Sequence, residues 1–182
     1  ASLYLGQDAT ETNLKSAAAA ADIVHFAGHG VLDSRMPFAS GLALATPESP
    51  DPASDNGVLQ GWETIEELRM GADLVVLSAC ESGLGEVVGG EGLLGLTWAF
   101  HFAGAQSVVA TQWAVPDEST ALLMRRFHTR LRTGSTADQA LRAAQLELLA
   151  GPIEVASDDT ARQIDATHPY AWAGFALYGD WR

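Results

Sequence analysis

Asp73-Leu-Val-Val-Leu-Ser-Ala-Cys80-Glu-Ser-Gly83 is the stretch that decides how this chain is read. Leu74 to Ala79 is a short apolar run closed by turn residues, without polar alternation. That pattern is expected of a strand covered on both faces. The only cysteine of the chain stands where this strand should run out. Upstream, Asp22-Ile-Val-His-Phe-Ala-Gly-His29-Gly30 ends in the same manner, with an imidazole in place of the thiol. Functional groups of open α/β sheets gather at the carboxyl ends of strands.

Working outward, four buried strands are expected: Ile23–Ala27, Leu74–Ala79, Ser107–Thr111 and Ala173–Tyr178. Helical patterns lie among them. Thr10 to Ala20 is alanine-rich, with Thr10 or Thr12 as N-cap. Glu63 to Arg69 is short, and Glu91 to Ala103 is apolar nearly all round, which predicts deep burial. Asp117 to Arg132 begins with acids and ends with arginines, complementing the helix dipole. Thr136 to Ala150 runs from a Ser135 cap to Gly151-Pro152. Strands alternating with helices imply an α/β fold with a mostly parallel central sheet flanked by helices. Val31 to Gln60, rich in proline and holding Asn56-Gly57, predicts a hairpin with a mobile tip. The polar stretch Gly151 to Thr167 predicts a long surface loop.

The length of 182 residues suits one domain with a substantial core. A net charge of −13 argues against nucleic acid and against anionic membrane surfaces, since both call for cationic patches. A single cysteine excludes an internal disulfide and a multi-cysteine zinc site, and it suits a reducing cytoplasm. No apolar run approaches the ~20 residues of a membrane helix, so no membrane insertion is expected.

Cleaving a peptide bond with a thiol requires a thiolate, a proton donor for the leaving amine, and donors for the oxyanion. Cys80 supplies the first and His29 the second. The amides of Gly30 and Cys80 supply the third if both lie on the rim of the sheet. Gly28 and Gly30 would let the chain turn sharply beside the histidine. A histidine about fifty residues before the nucleophile is the spacing noted for caspases. No metal or organic cofactor is required by this chemistry. The other histidines read as structural: His25 a packed, hydrogen-bonded core residue of its strand, His101 inside a helix, His128 on a helix surface.

Several blocks, taken in order, resemble the CHAT domain, a caspase-like family related to separase and often joined to tetratricopeptide repeats. They are Asp22-Ile-Val-His-Phe-Ala-Gly-His-Gly-Val-Leu-Asp33, Ala72-Asp-Leu-Val-Val-Leu-Ser-Ala-Cys-Glu-Ser-Gly-Leu-Gly85, Gly104-Ala-Gln-Ser-Val-Val-Ala-Thr-Gln-Trp-Ala-Val-Pro-Asp117, Ala140-Leu-Arg-Ala-Ala-Gln145 and His168-Pro-Tyr-Ala-Trp-Ala-Gly-Phe-Ala-Leu-Tyr-Gly-Asp180. The resemblance implies a three-layer caspase-like sandwich over residues 1–182, lacking an N-terminal strand of the family. It implies a Cys–His dyad of Cys80 and His29, with Gly30 and Cys80 at the oxyanion. Trp113-Ala-Val-Pro-Asp117 is similar to the separase stretch whose acid receives a P1 arginine, which makes Asp117 the S1 candidate, with Glu118 a weaker one. Asp33 is a candidate for bordering the site or orienting His29. The implied function is a cysteine endopeptidase that cleaves proteins or peptides after Arg or Lys, with a repeat-containing or other regulatory partner. The alternative is a catalytically silent or dormant domain that docks partners. Gly83-x-Gly85-x-x-x-Gly89 imitates a dinucleotide loop, but no acidic strand end follows at the expected place. No Gly-x-Ser-x-Gly of a serine hydrolase occurs.

Overall fold

Leu74 and Val76 face one helical layer, while Val75 and Leu77, between and after them, face another. Both faces of this strand are therefore dry, which explains a sequence without polar alternation. The computed structural model describes residues 1–33, 35–49, 55–81, 91–157 and 160–180. A six-stranded sheet is built from β1 (Ile23–Val31), β2 (Gly41–Ala43), β3 (Val58–Gln60), β4 (Leu74–Glu81), β5 (Ser107–Thr111) and β8 (Phe175–Gly179). Its order is β3-β2-β1-β4-β5-β8. β1, β4 and β5 run parallel at the centre, and β2, β3 and β8 are antiparallel to their neighbours. The sheet is thus mixed, with the parallel arrangement confined to its middle.

The helices are α1 (Glu11–Ala18), α2 (Gly61–Glu67), α3 (Glu91–Phe102), α4 (Asp117–Arg132) and α5 (Ala137–Leu149). Ala18 of α1 and Leu93, Leu96 and Phe100 of α3 pack with Val75, Leu77, Val108 and Ala110 on one face. Leu122, Leu123 and Phe127 of α4 pack with Ala140, Ala144 and Leu148 of α5 on the other, over Leu74, Val76 and Val109. Helix–sheet–helix is the three-layer architecture expected of the sequence. No described helix is long and apolar enough to cross a membrane.

Local chemistry sets the helix ends. Thr10 caps α1, its Oγ1 accepting from Asn13 N at 3.2 Å. Gln60 and Glu63 form a reciprocal capping box on α2. Gly104 stops α3 at φ +114°, and a Cβ there would lie 2.1 Å from the Met70 carbonyl. Glu11 is fully buried and accepts from Gly57 N at 2.8 Å and Val58 N at 3.2 Å. It pairs with Lys15 at 3.4 Å, and Lys15 reaches Glu67 of α2 at 2.7 Å. These bonds tie α1 to the Asn56-Gly57 turn and to its neighbouring helix.

Several elements depart from the sequence reading. β1 continues through Gly28, His29 and Gly30, and β4 through Cys80, because each finds a ladder partner there. Gly28 and Gly30 are therefore extended strand residues and make no sharp turn. The expected loop at Gly151–Thr167 holds a hairpin of β6 (Ile153–Ser157) and β7 (Thr160–Ile164). Ile153 and Ile164, cross-strand partners, anchor it against the α4–α5 core. β2 and β3 form the expected hairpin. Its tip at 50–54 lies outside the described residues, as does the glycine-rich stretch 82–90. α3 is not buried all round: Leu94, Trp98 and Phe102 are 43%, 58% and 67% exposed. These three stand at successive i, i+4 positions, so one whole stripe of the helix is bare.

Candidate active site

Eight consecutive residues of β1 and β4 pair in parallel, from Ile23 with Leu74 to Gly30 with Glu81. Within that register His29 stands directly opposite Cys80. Adjacent strands lie about 4.8 Å apart, so the two positions share one rung at the carboxyl end of the parallel strands. His29 is exposed, and its imidazole makes no hydrogen bond to a described residue. The sequence placed both residues just beyond their strands. The structure puts them inside the final rungs, which fixes their spacing by the ladder instead of by loops.

Gly30 is buried between Leu42 of β2 and Glu81 of β4. Asp33 follows β1 and engages the backbone just after it. Its Oδ1 accepts from Arg35 N at 2.8 Å and Met36 N at 2.9 Å, and these bonds hold its carboxyl below the usual range. The Asp33 carboxylate closes a turn.

Asp117 opens α4, which follows β5 at the same edge of the sheet. The Trp-Ala-Val-Pro-Asp segment is clamped from below. Trp113 Nε1 donates to the Tyr170 carbonyl at 2.9 Å, and its ring lies 6.2 Å from that of Tyr170. A Cβ on Gly174 would come within 2.9 Å of the Trp113 ring, so only glycine leaves room for it. Val115 is buried. Asp117 itself is exposed, and among the described residues nothing pairs with its carboxylate.

His25 is hydrogen-bonded as the sequence predicts, but it is exposed instead of lying in the core, and its partners were missed. His25 Nε2 lies 3.0 Å from Ser78 Oγ, and His25 Nδ1 lies 2.9 Å from His128 Nε2. The imidazole planes are 26° apart with centroids at 4.9 Å. His128 is half-buried and bonded, contrary to its reading as a helix-surface residue. His25 is exposed by area, yet both ring nitrogens are engaged. Loss of solvent, then the neighbouring His128, push it down to about 4. Burial, then the Arg132 charge, lower His128 as well. A signal for half of this set was present: His25 and His29 are four apart on one strand, and Ser78 and Cys80 two apart on the next. His101 is structural as expected, its Nδ1 lying 2.9 Å from the Ala105 carbonyl.

A groove of about 780 Å³ runs along the amino half of β1, lined by Ile23, His25, Ala27 and the N-terminal Leu3 and Tyr4. Its lining stops short of His29, so it is not the setting of the rung formed by positions 29 and 80. Among the described residues no group of three or more His, Cys, Asp or Glu could hold a metal ion.

The fold and the strand-end rung define a caspase-like α/β domain. The family model for the CHAT domain matches residues 1–180, and the chain belongs to that family. It is similar to tetratricopeptide repeat protein 28 of Mus musculus, 30% identical over 204 residues, and to that of Homo sapiens, 31% identical over 202 residues. Each match takes in 96% of this chain but only 8% of the relative.

Proposed function

We propose that the chain is a cysteine endopeptidase in which Cys80 is the nucleophile and His29 the general acid and base. The observation that carries this reading is the His29–Cys80 rung at the carboxyl end of two central parallel strands. His29 takes the thiol proton, and the thiolate attacks the scissile carbonyl to form a tetrahedral oxyanion. His29 then returns the proton to the leaving nitrogen as the C–N bond breaks, leaving a thioester on Cys80. Water, deprotonated by His29, attacks the thioester; the C–S bond breaks and frees the acid. The amides of Gly30 and Cys80 are the assigned oxyanion donors. Gly30 is the weaker of the two, because strands flank it on both sides. Asp117, exposed and without a described partner at the same edge, is assigned to receive a P1 arginine or lysine.

Alkylation of the single cysteine tests the reading. The iodoacetamide rate is followed against pH in the wild type and in His29→Ala. A free thiol titrates near 8.5, and one paired with a histidine lies lower. Fast alkylation persisting well below that pH, and lost in His29→Ala, is the expected result. A profile indifferent to His29 would sink the dyad. It would favour a second reading, a silent docking domain, for which the bare Leu94–Trp98–Phe102 stripe of α3 speaks.

A further inference from the structure

We propose that His128, His25 and Ser78 form a positioning chain for the reaction, a line of side-chain hydrogen bonds that locks the His29–Cys80 rung and tethers α4 to it. This rests on the dyad reading given above. The chain runs His128 Nε2 to His25 Nδ1 at 2.9 Å, then His25 Nε2 to Ser78 Oγ at 3.0 Å.

Its placement gives it that role. His25 is paired in the ladder with Val76, not with Ser78, which pairs with Ala27. The His25–Ser78 bond is therefore a diagonal across β1 and β4. Backbone ladders repeat at every residue, and a slip of one residue turns each side chain to the other face. β4 is a run of Leu, Val and Ala around Ser78, and such a run by itself discriminates weakly between registers. A diagonal polar bond fits one register only. That register puts position 29 opposite position 80, four residues beyond His25 and two beyond Ser78 on the same pleated face. The bond to His128 adds α4, whose first residue is Asp117. One line of bonds thus joins the three elements that carry the nucleophile, the base and the S1 candidate.

His128 is half-buried and His25 lines the groove beside β1, and the proton count of the pair matters. Neutral, each imidazole offers one donor and one acceptor, so the links can be satisfied in one direction at a time. With both rings charged, N–H would face N–H between His25 and His128. The titratable and charged groups around the pair are His29 on the same face of β1 and Arg125 and Arg132 one turn either side of His128 on α4. β4 contributes Ser78 and position 80. Glu147 of α5 is engaged by Arg126 and Arg130. No described acid compensates a second proton.

The experiment has two arms on the full chain. Histidine ring nitrogens are titrated by NMR in the wild type, and Cys80 alkylation is followed against pH in the wild type, His29→Ala, Ser78→Ala, His128→Phe and His128→Gln. His25 is expected to titrate far below 6.5, toward about 4, with a fixed tautomer, and to stay below 6.5 in His128→Phe while losing the fixed tautomer, because desolvation, the larger cause, remains. Because the folded value lies below the unfolded one, the stability it contributes is present above about pH 6.5 and is lost as pH falls toward about 4. Alkylation at pH 7 is expected to slow at least about tenfold in His128→Phe and Ser78→Ala. In His128→Gln, which keeps a donor, it should stay within about threefold of wild type. A wild-type His25 titrating near 6.5 with mixed tautomers would overturn the chain. Sensitivity to His29→Ala without sensitivity to His128→Phe or Ser78→Ala would overturn the positioning role alone. A profile that ignores His29→Ala overturns the dyad and this role together.

Discussion

An exposed carboxylate is most often a solvated one, and Asp117 differs in how rigidly its backbone is held. The Trp113 ring over Gly174, its bond to the Tyr170 carbonyl and the buried Val115 all lie within four residues before it. A first-turn acid also favours the helix N-terminus, so part of its presence is explained without a substrate. The two roles separate on substitution. Asp117→Asn keeps the shape and removes the charge. On the endopeptidase reading, kcat/KM for P1-arginine peptides should fall about tenfold to a hundredfold, the loss of one charge-assisted bond. A P1-alanine peptide should change little. An equal fall on both substrates would assign Asp117 to the fold instead of the specificity pocket. Position 80 behaves differently at this scale, since its partner is set by strand register and not by neighbours in sequence.

At the scale of elements, α1 is held less by its own length than by Glu11. Eight residues make only about two turns, too few to be stable alone. Glu11 supplies acceptors to Gly57 N and Val58 N from a fully buried position. Glu11→Ala takes the side-chain acceptor from Gly57 N, while Val58 N keeps Asn56 Oδ1 at 3.0 Å and Lys15 keeps Glu67. The expected cost is about 3 kcal/mol, read as a lower urea midpoint with an unchanged slope. Elements of this kind show what could be read in advance. The centres of β1, β4 and β5 were legible because covered strands write themselves as apolar runs. The ends were not, since Gly28-His29-Gly30 has poor strand propensity and is held extended by β2 and β4. β6 and β7 were hidden by polar composition, although Ile153 and Ile164 bracketed them. α4 was legible to the residue, its acids and arginines marking both ends. At the candidate site, the placement of positions 29 and 80 near strand ends was legible, whereas the contact of His128 with His25 was not. The two lie 103 residues apart, and only the packing of α4 on the sheet brings them together.

The whole molecule is a three-layer sandwich whose sheet is closed unevenly. β8 covers one side of β5, and on the other flank β2 pairs with β1 only from His29 to Val31. Among the described residues no strand accompanies the outer side of Ile23 to Gly28, and Ile23 is 44% exposed. Backbone groups left along such a margin are a template for another chain. Native proteins commonly guard it with lysine or proline, and this stretch holds neither. What two approaching copies do bring is 13 net negative charges apiece. Their mutual repulsion reaches ~30 Å at 0.01 M salt but only ~3 Å at 1 M. Light scattering should therefore find monomers in dilute buffer and growing particles in concentrated sodium chloride, reversible on dilution. Equal sizes under both conditions would mean the margin is inert. On this account the molecule is kept dispersed by a diffuse ionic atmosphere, and its colloidal behaviour is a property of the solvent as much as of the chain.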